Sequence, residues 1–153
     1  MRFIVNSTAL LRQLQKLNGV ISSSNTLPIL DNFLFNIKDN QMSIVASDLE
    51  TTMMSSISVE ADEDGKITIA ARILIDTLKT FSNQPLTFIV DTTTFGIEMS
   101  SELGNYKLAG QNSDEFPKIP TLQSSFSTTI KGDILSNAIN KTLFASGNDE
   151  LRP

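Results

Sequence analysis

The sequence predicts an α+β fold with more strand than helix, and three observations carry that reading. Period-two alternation of apolar and polar residues runs through residues 29–60 and again through 86–109, the spacing of half-buried strands. Apolar stripes at helical spacing appear only as short blocks, over residues 7–19, 71–81 and 133–146. The order along the chain is strand, helix, three strands, a fourth strand entering the second helix, then three more strands.

Phe3 and Val5 alternate with polar neighbours as a first strand. Ser7 is placed to cap a helix over 7–19, with Leu10, Leu11, Leu14 and Leu17 as its stripe and Gly19 as its stop. Ser22-Ser23-Ser24-Asn25-Thr26 is a polar surface loop. It is closed by Leu27-Pro28, where the proline imposes extended geometry on the residue before it. Three strands then follow: Phe33, Phe35 and Ile37; Met42, Ile44 and Val45; and a Thr/Ser/Ile/Val run over 51–59. Asp39-Asn40 and Asp48-Leu49-Glu50 supply the turns between them. Asp62-Glu63-Asp64-Gly65 turns the chain into Lys66-Ile67-Thr68-Ile69-Ala70. Leu74, Ile75, Leu78 and Phe81 then return to helical spacing and stop before Pro85. Strands over 86–90, 95–99 and 106–109 complete the pattern, with Gly104-Asn105 as the tight turn between the last two.

Residues 117–125 hold two prolines among small polar residues, the composition of a connector, and set a domain boundary near residue 121. Beyond it the opening pattern returns: a strand over 126–130, a helix start at Gly132-Asp133, and a stripe of Ile134, Leu135, Ala138, Ile139 and Leu143. Leu10-Leu11 correspond to Ile134-Leu135, so the repeat is one domain long. The expectation is a complete first domain over 1–120 and a truncated start of a second over 121–153. The alternative is that 126–146 packs on the first domain as an added strand and helix.

Composition narrows the function. Of 153 residues, 40% are hydrophobic and 19% charged, enough for a packed core. There is no cysteine, which removes disulfides and thiolate chemistry and fits a reducing compartment, the cytoplasm. Histidine is absent too, so the usual general base and metal ligand are missing. No glycine loop of phosphate-binding pattern occurs, and no apolar run approaches the roughly 18 residues of a membrane span. Asp48/Glu50 and Asp62/Glu63/Asp64 are the densest carboxylate groups, and both read as turns rather than cation sites. An enzyme is not expected, nor a metal or cofactor.

Net charge is -5, yet the charges are sorted. The helical blocks carry Arg12, Lys16, Arg72, Lys79 and Lys141 against Asp76 and Asp133 alone, while the strands and loops hold most of the acids. A helical surface of this kind can follow a phosphate backbone by charge, without reading sequence. The plainer reading is a solvated helix face.

Several ungapped segments carry a resemblance. Asn25-Thr26-Leu27-Pro28-Ile29-Leu30, Ala46-Ser47-Asp48-Leu49-Glu50, Ile69-Ala70-Ala71-Arg72, Tyr106-Lys107-Leu108 with Asp114-Glu115-Phe116-Pro117, and Asp149-Glu150-Leu151-Arg152 within 144–152 resemble, in this order, the bacterial sliding clamps, the β subunit of DNA polymerase III. The resemblance implies a DNA-clamp fold with antiparallel sheets outside and two helices per domain on the inner face. It implies a subunit of three such domains, the third absent here, paired head to tail as a homodimer ring. It further implies a non-catalytic processivity factor that encircles double-stranded DNA, tethers DNA polymerase III and is placed by a clamp loader, with no membrane partner.

Residue by residue, the resemblance makes Arg12, Lys16, Ser24, Asn25, Arg72, Lys79 and Asn148 DNA-facing. It puts Leu74, Leu78, Tyr106 and Leu108 at the subunit interface, with ordinary core as the other reading of all four, above all of Leu74 and Leu78. Arg152 falls at the edge of a pocket for partner peptides. Ser22-Ser23-Ser24 stands where relatives often carry arginine. The competing function is a β-rich interaction module with no nucleic-acid role.

Overall fold

The computed structural model describes residues 1–21, 27–102, 104–119 and 127–146. The chain divides into two compact units, Met1–Ile119 and Pro120–Pro153.

The first unit is α+β. Its elements are β1 (Arg2–Asn6), α1 (Ser7–Leu17), β2 (Asn32–Lys38), β3 (Gln41–Ser47), β4 (Thr52–Ser58), β5 (Glu60–Ala61), β6 (Gly65–Ala70), α2 (Ala71–Leu78), β7 (Pro85–Val90), β8 (Gly96–Ser101) and β9 (Gly104–Gln111). Every strand pairing is antiparallel, in the order β4-β3-β2-β6-β9-β8-β7-β1-β5. Asp39 and Asn40 both take left-handed backbone, φ 51° and 59°, which is the two-residue turn that matches strand twist and joins β2 to β3.

Helices α1 and α2 pack against each other, α1 also against β3 and β4 and α2 against β6. The main core lies beneath them: Leu10, Leu14 and Leu17 of α1 and Leu74, Ile75 and Leu78 of α2 meet Phe3, Phe33, Phe35, Ile44, Ile67 and Phe88 of the strands. Phe3 and Phe88, register partners on β1 and β7, stack with ring centroids 4.8 Å apart. A smaller core occupies the other face of β2 and β3, where Leu34 and Val45 are covered by Ile29, Leu30 and Phe116. Those two strands are therefore buried on both faces. Pro28–Asp31 and Ser113–Glu115 are short 3-10 turns that carry the covering side chains to the sheet.

Strand β9 joins two halves of the sheet. Gly104–Ala109 pair with β8, whereas Gly110 and Gln111 pair with Ile69 and Thr68 of β6. A Cβ on Gly110 would lie 2.8 Å from Ile67 Cδ1 and 2.9 Å from the carbonyl oxygens of Phe95 and Thr68, so only glycine fits where three strands converge. One residue past the last β6 pairing, the chain turns into α2, and the ladder along β9 stops there.

Several local expectations are corrected. Ser7 is not the cap of α1. Asn6 is, its side chain accepting the Ala9 amide at 3.0 Å, while the Ser7 hydroxyl is buried and donates to the Ser82 carbonyl. Gly19 does not end the helix abruptly but lies in a 3-10 turn, Asn18–Val20. Gly104 and Asn105 are not a turn but residues of β9, paired with Ser101 and Ser100 of β8, and Gly104 opens the strand with φ 143°. β5 was not foreseen, being two residues long.

In the second unit, α3 (Gly132–Thr142) occupies the expected block, followed by the 3-10 turn Leu143–Ala145. Its Ile134, Leu135 and Ile139 are exposed. Residues 127–130 form no strand, since alternation yields a strand only where a partner supplies backbone hydrogen bonds, and none of the described residues does.

Candidate nucleic-acid interface

The 11 residues of α1 bury Ser7, Leu10, Leu14 and Leu17, which leaves Thr8, Arg12, Gln15 and Lys16 outside. The 3.6-residue turn fixes this division: Arg12 and Lys16, four apart, share one exposed strip. Gln13 sits at the strip's border, where its Oε1 accepts both the Ser55 hydroxyl of β4 at 2.8 Å and the Lys16 ammonium at 3.1 Å. One side chain thus ties the helix to an edge strand and holds a surface cation.

Helix α2 buries Ala71, Leu74, Ile75 and Leu78 and exposes Arg72, Ile73 and Asp76. Lys79 caps its C-terminus, where a cation is favoured by the helix dipole. The Lys79 ammonium stands 3.0 Å from Asp76 Oδ1, with both side chains more than half exposed. Arg72, Asp76 and Lys79 border one cleft of about 590 Å³, together with Asn18, Ile21 and Asp31. The exposed surfaces of α1 and α2 therefore hold Arg12, Lys16, Arg72 and Lys79 against one acid, Asp76. Exposed lysine and arginine on rigid helices can neutralise phosphates, and they carry no means of reading bases.

The acidic turns have structural work. Asp48 Oδ1 accepts the Glu50 amide at 3.0 Å and the Thr51 amide at 2.6 Å, Asp64 accepts the Asp39 amide, and Asp62 pairs with Arg2.

A second surface lies along β9. Gly110 donates its amide to Phe95 O, so alternation turns the backbone groups of Tyr106 and Leu108 toward β8. Those of Asn105 and Lys107 face the opposite side, where none of the described strands pairs with them. Tyr106 and Leu108 are half-buried, and Tyr106 meets Phe81 edge-on at 5.1 Å. Leu108, Ile69, Ala70 and Ile73 line a groove of about 290 Å³. Ile73, 57% exposed, was missed from sequence. The available signal was its position: an isoleucine beside Arg72, off the stripe formed by Leu74, Ile75 and Leu78.

Leu74 and Leu78 are corrected as interface residues. They are 0% and 1% exposed in the main core, because the stripe that forms α2 points them beneath it, and they offer no side-chain surface to a partner. Arg12 and Lys16 share the exposed strip of α1, Arg72 and Lys79 border one cleft beside α2, and Tyr106 and Leu108 lie along the strand edge. Ser24, Asn25, Asn148 and Arg152 lie outside the described residues.

Comparison with known proteins places this geometry. Residues 1–120 match the family model for the DNA polymerase III beta subunit, N-terminal domain. A beta sliding clamp from Vibrio harveyi is 30% identical over 147 residues, covering 95% of this chain and 100% of that sequence. The beta sliding clamp of Vibrio cholerae is 30% identical over 155 residues, which cover 99% of this chain and 42% of that protein. This chain thus spans about two fifths of the length of that relative. The crystal structure of the DNA polymerase III subunit beta from Pseudomonas aeruginosa superposes with a TM-score of 0.88 at 28% identity, covering 99% of this chain and 41% of that one.

Proposed function

The chain belongs to the DNA polymerase III β-subunit family, and from that premise we propose that it serves as the N-terminal part of a sliding clamp, a non-catalytic processivity factor that encircles double-stranded DNA. The observation that carries the reading is the charge sorting: a protein of net charge -5 gathers four exposed cations and a single acid on two adjacent helices. Backbone contacts of this kind hold duplex of any sequence and allow it to slide. If Arg12, Lys16, Arg72 and Lys79 each met a phosphate, the salt slope would be about 0.9 per contact, or roughly 3 to 4 in all. Encirclement then replaces tight binding, so hold and mobility coexist.

The open side of β9 fits the subunit interface of a head-to-tail homodimer. An added strand from another subunit would satisfy Asn105 and Lys107, and its side chains would cover Ile73, Leu108 and Tyr106. Leu74 and Leu78 support this surface from below by fixing α2. DNA polymerase III and the clamp loader are the partners proposed for the ring, with Arg152 at the rim of the pocket for their peptides, and Ser24, Asn25 and Asn148 as further DNA-facing positions. The reading places the protein in the bacterial cytoplasm. Among the described residues, no helix is long and apolar enough to cross a membrane.

The test is topological. A ring whose subunits carry this sequence, loaded on a nicked circle by a clamp loader, should stay on the circle at high salt and be lost once the DNA is linearised. Equal retention on circular and linear DNA would reject encirclement.

A further inference from the structure

We propose that Asp76 is a brake on the helical DNA-facing surface, competing with phosphate for Lys79 and so holding the surface to a weaker, more mobile grip than its four cations would give; this rests on the DNA-facing reading of α1 and α2. Three observations converge on it. The Asp76 carboxylate contacts the Lys79 ammonium at 3.0 Å, and both side chains are exposed, at 60% and 53%, so an incoming phosphate can reach the same ammonium. Asp76 is the sole acid in either α1 or α2, and it shares one cleft with Arg72, Lys79 and a second acid, Asp31, from the turn before β2. It also stands in the last turn of α2, where the negative end of the helix dipole disfavours a carboxylate. Helix formation therefore gives little reason for an acid at this position, and its pairing with Lys79 offsets only part of that local disadvantage.

The arrangement has a signature in salt dependence. Each lysine that neutralises a phosphate releases counterions condensed on the DNA. While Lys79 stays paired with Asp76 it neutralises no phosphate, so it adds nothing to the slope of log K against log salt. Arg72, four residues before Asp76, lines the same cleft. Arg12 and Lys16, on a helix without acids, bind at full strength. The grip is then uneven, firmer along α1 than along α2.

The experiment measures Kd of the 153-residue chain for a short fluorescent duplex across a salt series, starting at low ionic strength. It compares wild type, Asp76→Asn, Lys79→Gln, the Asp76→Asn/Lys79→Gln pair and Arg12→Gln/Lys16→Gln, all checked for native melting. Asp76→Asn should tighten binding on the order of tenfold near 50 mM salt and steepen the slope by about 0.9, the contribution of one freed cation. Most of that gain should vanish in the Lys79→Gln background. An unchanged slope in Asp76→Asn, with a lowered one in Arg12→Gln/Lys16→Gln, overturns the brake and leaves the DNA-facing surface standing. Equal gains with and without Lys79 also overturn it, since Asp76 would then act by general repulsion. If Arg12→Gln/Lys16→Gln changes nothing, or no variant binds duplex at low salt, the DNA-facing reading fails and the brake with it.

Discussion

The Ser55 hydroxyl donates to Gln13 Oε1 at 2.8 Å, across 42 positions of sequence, and so fixes α1 to the edge strand β4. The same oxygen accepts Lys16. Gln13→Ala should lower unfolding free energy by about 1 kcal/mol, the typical worth of a partly buried hydrogen bond, as read from the urea midpoint. Lys16 should gain side-chain mobility, visible in relaxation of its Nζ group by NMR.

Ser7 and Asn6 have separable roles. Asn6→Ala removes the cap of α1 and should cost about 1 kcal/mol. Ser7→Ala strips a buried hydroxyl that donates to Ser82 O at 2.7 Å and accepts Gln84 N at 3.0 Å, leaving both backbone groups without it. Its cost should be about 1–3 kcal/mol. Hydrogen exchange at the Gln84 amide should rise in Ser7→Ala and stay near wild type in Asn6→Ala.

Core and surface on α2 should part cleanly. Leu74→Ala and Leu78→Ala remove fully buried side chains and should each destabilise the fold by about 2–5 kcal/mol. Ile73→Ala should stay within about 0.5 kcal/mol of wild type in chemical denaturation. In rings carrying this sequence, Ile73→Ala should nonetheless weaken subunit association several-fold by analytical ultracentrifugation. No change there would remove Ile73 from the interface.

Asp91 gives a pH expectation. Its carboxyl is held below the ordinary value of 3.8, chiefly by the Thr94 hydroxyl and then by the Thr93 and Thr94 amides. The folded value lies below the unfolded one, so the stabilisation is present above pH 3.8 and is lost as pH falls through the depressed folded value. Thr94→Val should return the carboxyl toward its ordinary value in a carbon-detected NMR titration. A titration unaltered by the substitution would show that the amides suffice.

On the helical face, Arg12→Glu/Lys16→Glu should weaken duplex binding and lower its salt slope by about 2, one unit for each lost phosphate contact. An unaltered slope would take α1 out of the interface.

The helices were legible because their signal is local. Leu10, Leu14 and Leu17 recur at the spacing that buries one face, and Asp39-Asn40 is the residue pair that tolerates a left-handed turn. The smaller core was not legible, because Leu34 and Val45 stand at positions that alternation assigns to solvent. They are buried only because Ile29 and Leu30, in the turn that leads into β2, and Phe116, far along the chain, fold over them. The open side of β9 was hidden for a related reason, since an edge exists by what fails to pair with it. Tyr106 and Leu108 were placed by resemblance, and Ile73 was visible only once α2 stood beside β9. Leu74 and Leu78 show the limit of transferring roles by position, because the same stripe that makes a helix decides which of its leucines reach the surface.

Lys107 gives the edge of β9 a different meaning. An unpaired strand edge bordered by isoleucine and leucine is a template for any extended chain, including misfolded copies of itself. The exposed Lys107 side chain sits midway along that stretch. Indiscriminate stacking of strands would crowd one ammonium beside the next, whereas a single partner bearing an acid opposite it would be welcomed. The edge is thus fitted to refuse its own kind while it waits for a complement.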